Sequence, residues 1–114
     1  IGLHDDEIAK LWRAFIPYSH YDGVNERWGY PGADRRSALA RLRRLGKRPQ
    51  FICHEAASGK LNLTATRDFL KTADAKGNFT FRETGFRNHN DAWLLRPSPA
   101  RGGLRRWLDG VLRD

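Results

Sequence analysis

Two polar clusters hold the side chains able to move protons near neutral pH. His54-Glu55 stands shortly before Lys60, and Arg82-Glu83 precedes the run Arg87-Asn88-His89-Asn90-Asp91. Cutting RNA without a metal ion needs a base for the 2′-hydroxyl, an acid for the leaving oxygen and cations for the charge on the phosphate. His54, Glu55, Arg82, Arg87 and His89 are of the types that fill those roles. If His54 and His89 meet across a sheet end with Arg82 or Arg87 between them, they share acid and base duties, because an imidazole titrates near neutrality. The same residues have a structural alternative: His54 as a strand-end histidine with satisfied hydrogen bonds, and Asn88–Asp91 as a turn, where Asn and Asp are favoured.

Other chemistries lack their residues. His54-Glu55 is not a zinc-protease pair, because Ser58 stands where a second histidine is required. Ser58-Gly59-Lys60 is not a phosphate loop, since Leu61 replaces the hydroxyl residue and His54 occupies the place of the first glycine. Neither a G-x-S-x-G elbow nor a dinucleotide fingerprint occurs. The lone Cys53 leaves no thiolate cluster for zinc and no internal disulfide, and the pattern calls for no cofactor or metal. The compartment stays open, with a lean to the intracellular.

The elements that must carry these clusters are organised around Asp34–Glu55. Asp34 caps a helix through Leu45, and Gly46 suits its left-handed exit. At 100° per residue, Ala38, Leu39, Leu42 and Leu45 fall within an arc of roughly 120°, wide enough to dock on a sheet. Arg36, Arg43 and Arg44 point away from that arc, and Arg41 lies on its flank. With Arg35, Lys47 and Arg48, 7 of the chain's 21 Lys and Arg lie between positions 35 and 48.

Charge is uneven over the whole chain. Residues 1–34 sum to −3 and residues 35–114 to +11, within a total of +8. A field of one sign and that size favours anionic partners such as nucleic acid. Its 114 residues allow one core. No apolar run approaches the roughly 18 residues of a membrane span. The absence of methionine, even at position 1, reads as a piece excised from a larger protein.

In chain order, the periodicity predicts a first helix with Ile8, Leu11, Trp12 and Phe15 inward, stopped by Pro17. Residues 17–34 form an aromatic loop whose Tyr18, Tyr21, Trp28 and Tyr30 either stack on bases or fold over the core. After the arginine helix comes a strand over Gln50–His54, a turn at 56–59, and a second strand over Lys60–Ala65. Thr66 caps a short helix to Ala73. Phe79–Arg82 and Ala92–Arg96 read as third and fourth strands around the polar loop Gly85–Asp91. Pro97–Gly103 is a turn, and Leu104–Arg113 a helix burying Leu104, Trp107, Leu108 and Val111. The expected fold is one basic α+β domain over residues 1–114. It has two N-terminal helices, a four-stranded antiparallel sheet and a C-terminal helix packed on that sheet.

That order of helices followed by antiparallel sheet resembles small secreted or toxin ribonucleases in architecture alone. A winged helix is the other comparison, but the long 17–34 loop separates its helices too far for a helix-turn-helix. The leading expectation is a nucleic-acid-binding domain, for DNA or RNA, touching phosphates through Arg36, Arg41, Arg43, Arg44, Lys47 and Arg48. Arg105 and Arg106 extend that surface if the last helix lies alongside. A metal-independent, toxin-like endoribonuclease is the second expectation, and a module binding an acidic protein through the aromatic loop and basic helix is the third.

Overall fold

Asp34 accepts the backbone N–H of Ser37 at 2.9 Å and opens helix α2, Arg35–Leu45. Gly46 closes it at φ +59°, a conformation that costs a glycine little. Three residues later the chain enters strand β1, Gln50–His54, which is buried at all five positions. Continuous burial marks a strand covered on both faces. The computed structural model describes residues 2–55, 62–87 and 89–113.

Alternation along β1 divides the core in two. Ile52 packs with Ala38 of α2 and with Leu63, Phe69 and Leu70 of helix α3, Leu63–Thr72. Phe51 and Cys53 point the other way. They meet Trp93 of the short helix α4, Ala92–Leu95, and Ala100 and Leu104 of helix α5, Pro99–Arg113. The sheet is thus sandwiched between α2 and α3 on one face and α4 and α5 on the other.

The fold is α+β, but the four-stranded antiparallel sheet is not formed. β1 pairs with one strand, β2 over Phe79–Glu83, and the pairing is parallel, with Gln50 opposite Phe79 and His54 opposite Glu83. Parallel strands need a long crossover, and α3 supplies it. Asn62 caps that helix on the Ala65 N–H at 3.1 Å, so the expected second strand is helical from Leu63 onward and Thr66 lies inside the helix. Leu63, Thr66, Phe69 and Leu70 are its buried stripe, a spacing of three to four residues that overrides the short alternation around Leu63 and Ala65. The expected turn at 56–59 and Lys60 lie outside the described residues.

The expected fourth strand is helix α4. A strand would put Trp93 and Leu95 on one face, whereas Trp93 is buried and Leu95 exposed. Asn90 accepts the Ala92 N–H at 2.8 Å at its start. The expected Pro97–Gly103 turn belongs mostly to α5, which begins at Pro99, a favoured first helical residue. At the other end, α1 spans only Asp6–Lys10 behind an Asp5 cap, leaving Leu11 and Trp12 exposed rather than inward.

A further extended stretch borders β1 on its free side. Phe15 pairs with Gln50 and Tyr18 with Cys53, both parallel. Phe15 N donates to Pro49 O, Phe51 N to Phe15 O, Cys53 N to Pro17 O, and Ser19 N to Cys53 O, all at 2.9–3.0 Å. The rung missing from this ladder is the one a proline at 17 cannot donate. Three segments therefore run side by side in one direction.

Candidate acid–base site at the end of the sheet

Parallel segments bring their carboxyl ends to one edge, where open sheets with helical crossovers hold their ligands. Here that edge collects Ser19 from the bridging stretch, His54 from the end of β1, Glu55 just after it, and His89 from the loop after β2. Ser19 occupies the left-handed region at φ +65°, held by its own N–H on Cys53 and by His20 N on Tyr18 O at 2.7 Å. A non-glycine residue at positive φ in such a tight turn is strained and persists only where its surroundings enforce it.

Glu55 is the centre of the cluster. Ser19 Oγ donates to its Oε1 at 3.1 Å. His89 Nδ1 lies 2.8 Å from the same Oγ and 3.6 Å from Oε1. On the opposite side His54 Nδ1 lies 3.5 Å from Oε2 and 3.0 Å from the Glu55 carbonyl. A hydroxyl has one proton, and a carboxylate is its strongest acceptor here. The His89–Ser19 bond then carries the proton of His89 Nδ1, leaving Nε2 of the neutral ring as an acceptor. Glu55 Oε2 is buried and accepts no hydrogen bond among the described residues.

Burial alone would push the Glu55 carboxyl up. Its own backbone N–H, the Ser19 hydroxyl and the charges of His54 and His89 outweigh that and hold it below its ordinary value. The carboxylate thus stays charged in a half-enclosed site. His54 is 6% exposed, whereas the His89 side chain is 54% exposed. One imidazole lies inside, on the Glu55 backbone carbonyl and beside the carboxylate; the other faces solvent.

Aromatic rings extend the site outward. Tyr18 stacks on His89 at 5.2 Å and leans on Trp93. His20 is exposed and its ring centre lies 5.4 Å from that of His89. Its other side meets Trp28 edge-on at 4.7 Å, and Trp28 stacks on Tyr30 at 6.2 Å with planes 13° apart. Asp22 accepts the Tyr30 hydroxyl, and burial with that bond raises the phenol to about 12. Tyr21 instead is half-buried against the core, its hydroxyl on Gln50 at 2.7 Å. The aromatic loop is divided between core and surface. His20 also lines a cavity of about 290 Å³ together with Phe15, Arg41 and Gln50.

Comparison with protein-family models, with curated proteins and with solved structures finds no match.

Of the residues singled out in the sequence, His54, Glu55 and His89 converge, though His54 is too enclosed to face His89 as an exposed partner. Arg82 is exposed on the α5 side of the sheet, its guanidinium against Gly103. Arg87 is exposed two positions before His89. Asn88 lies outside the described residues. Ser19 and His20 were not singled out. The signal for them was the apolar run Ala14–Pro17 leading into Tyr18-Ser19-His20, a third extended segment with polar residues at its end.

The arginine helix is less free than its helical projection predicts. Arg41 is buried and pairs with Asp22 at 2.9 Å. Arg44 pairs with Asp6 at 2.6 Å. Arg48 donates to the carbonyls of Leu45 and Trp12 and lies over the Phe15 ring. Arg44 and Arg48 bind the N-terminal segment to α2, and Arg41 binds the aromatic loop to it. Arg36, Arg43 and Lys47 are exposed, and their side chains have no hydrogen bond or ion pair among the described residues. Arg105 and Arg106 are exposed on α5, on the opposite face of the sheet, and so do not continue the α2 surface.

Proposed function

We propose that this domain binds single-stranded nucleic acid across the carboxyl edge of its sheet. The observation that carries the reading is a continuous run of rings at the surface: exposed Tyr30 stacked on half-buried Trp28, exposed His20 edge-on to Trp28, and exposed His89 beside His20. Unpaired bases expose their faces to such a shelf; paired ones do not. The +8 charge supplies long-range attraction for the phosphates. Arg35 N donates to Glu26 Oε1 at 2.8 Å, which fixes the first turn of α2 beside the helical turn Glu26–Trp28. A strand leaving the shelf towards α2 meets the exposed Arg36, Arg43 and Lys47.

No helix among the described residues is long and apolar enough to cross a membrane, and the reading needs none. The test is fluorescence anisotropy with labelled single-stranded RNA and DNA and a duplex of the same sequence. Single strands bind more tightly than the duplex. Trp28→Ala weakens them about tenfold, the scale of one lost base stack. Duplex binding as tight as single-strand binding, or an unchanged affinity in Trp28→Ala, overturns the proposal.

A further inference from the structure

We propose that the exposed imidazoles of His20 and His89 form an acid–base pair that cleaves RNA by transesterification. The proposal rests on the nucleic-acid reading above and adds chemistry to it. Two observations carry it. The rings are both exposed and 5.4 Å apart, close enough to serve two oxygens of one phosphodiester. They are also not equivalent. The Ser19 hydroxyl, which donates its own proton to Glu55 Oε1, accepts the Nδ1–H of His89 and leaves Nε2 as an acceptor. Among the described residues His20 has no carboxylate partner; its neighbours are the rings of Trp28 and His89.

This asymmetry divides the labour. The proton of a ribose 2′-hydroxyl passes to His89 Nε2 as O2′ attacks phosphorus. The P–O5′ bond breaks, and O5′ takes a proton from the His20 imidazolium. The products are a 2′,3′-cyclic phosphate and a 5′-hydroxyl, with no net change in protons or electrons. Proton exchange with water resets both rings. Glu55 is a positioning residue that fixes His89 through Ser19 and balances the charge His89 acquires. His54 fixes the Glu55 backbone carbonyl from the buried side. Arg87, exposed in the same loop as His89, supplies positive charge for the phosphate.

Each role needs the opposite protonation state, so the rate is bell-shaped in pH. The titratable and charged groups around His89 are Tyr18 and His20 from the bridging stretch, His54 from the end of β1, Glu55 just after it, and Arg87 and Asp91 in its own loop. All belong to the same small edge.

A DNA oligonucleotide carrying one ribonucleotide tests the proposal with the whole chain in EDTA. Cleavage occurs at the ribonucleotide alone and leaves a cyclic phosphate, while an all-DNA strand is bound but not cut. His89→Ala and His20→Ala each lose about 100-fold or more in rate, the scale of one general acid or base. Both side chains are exposed, so the fold survives; His20→Gln and circular dichroism check that directly. Glu55→Gln lowers kcat with KM held, and Glu55→Asp restores part of it. Uncut RNA that is nonetheless bound overturns the chemistry and leaves the binding reading standing. Equal cleavage by the wild type and the double histidine variant, or cleavage that requires a divalent ion, overturns it as well. Absence of binding to any strand overturns both.

Discussion

The Arg41 guanidinium meets the Asp22 carboxylate at 2.9 Å while 10% of the Arg41 side chain remains exposed. Arg41 also donates to the Gly32 carbonyl, and Asp22 in turn holds the Tyr30 hydroxyl. A residue whose type suggests a phosphate ligand is therefore the clasp between α2 and the aromatic loop. Removing one partner of an enclosed pair costs about 3–5 kcal/mol, and the partial exposure of Asp22 places Arg41→Ala at the low end of that range. Arg43→Ala, on the open face, changes stability by less than about 0.5 kcal/mol. Urea unfolding of the two variants compares them directly. Equal midpoints would show that the clasp contributes nothing.

The exposed cations on α2 and just after it have a different readout. A single strand that neutralises about four phosphates gives a plot of log K against log salt with a slope of about −3. Replacing Arg36, Arg43 and Lys47 together with alanine makes that slope shallower by about 2, roughly 0.7 for each phosphate left without its cation. Affinity falls similarly for every sequence, since the phosphate backbone carries no base information. An unchanged slope moves the phosphate track away from α2.

Gly23 couples the aromatic loop to the core. It sits at φ +88°, and a Cβ there would come within 2.5 Å of the Phe69 ring and 2.8 Å of Ala38 Cβ. Phe69 and Ala38 are central to the cluster that joins α2 and α3. Gly23→Ala therefore combines overpacking with an unfavourable backbone and costs about 3 kcal/mol. Thermal unfolding measures the loss. Binding also weakens below the new midpoint, because Trp28 and Tyr30 hang on the same loop. A variant as stable as the parent would mean the loop yields without cost.

Cys53 offers a probe of the whole sheet. It is 1% exposed, and burial, reinforced by the charge of Glu55, pushes its thiol up to about 12. A thiol that is both enclosed and protonated reacts only when the sandwich opens. At pH 8 its modification is slower than that of the unfolded chain by about 10³-fold or more, given the stability usual for a domain of this size. Fast labelling under native conditions would show that β1 opens locally.

Local signals in the sequence were legible where they agreed with the tertiary fold. Asp34, the apolar arc and Gly46 delimit α2 correctly, β1 covers Gln50–His54 as expected, and β2 starts at Phe79 where its apolar residues start. The direction of β2 was not legible, because it depends on whether residues 62–72 return the chain to the starting end of β1. A short alternation there mimics a strand, and only the Asn62 cap with the longer spacing to Phe69 and Leu70 gives the helix away. The site followed the sheet. His54, Glu55 and His89 read as candidates from their types alone. Ser19 and His20 join them only once segment 15–19 is seen to run parallel to β1, and the proline at 17 obscures that segment as a strand. The internal pairing of Arg41, Arg44 and Arg48 was likewise invisible, since their acceptors lie far away in the sequence.

The Glu55 cluster also predicts how the domain responds to acid. The folded carboxyl ionises below its ordinary value, so the unfolded chain takes up that proton first as pH falls. The stabilisation is therefore fully present above about pH 4.3, the usual glutamate value. Below that it declines, and it is lost once the pH passes the depressed folded value. Glu55→Gln lacks this dependence while keeping the shape of the side chain. The stability difference between parent and variant, measured by urea unfolding at steps from pH 6 to pH 3, is then constant at the top of the range and shrinks through the acid window. Asp5 and Asp34, which are also held below their ordinary values by helix-capping bonds, remain in both proteins and cancel from the difference. A difference that stays level to pH 3 would mean that Ser19, His54 and His89 do not hold the carboxylate in its charged form.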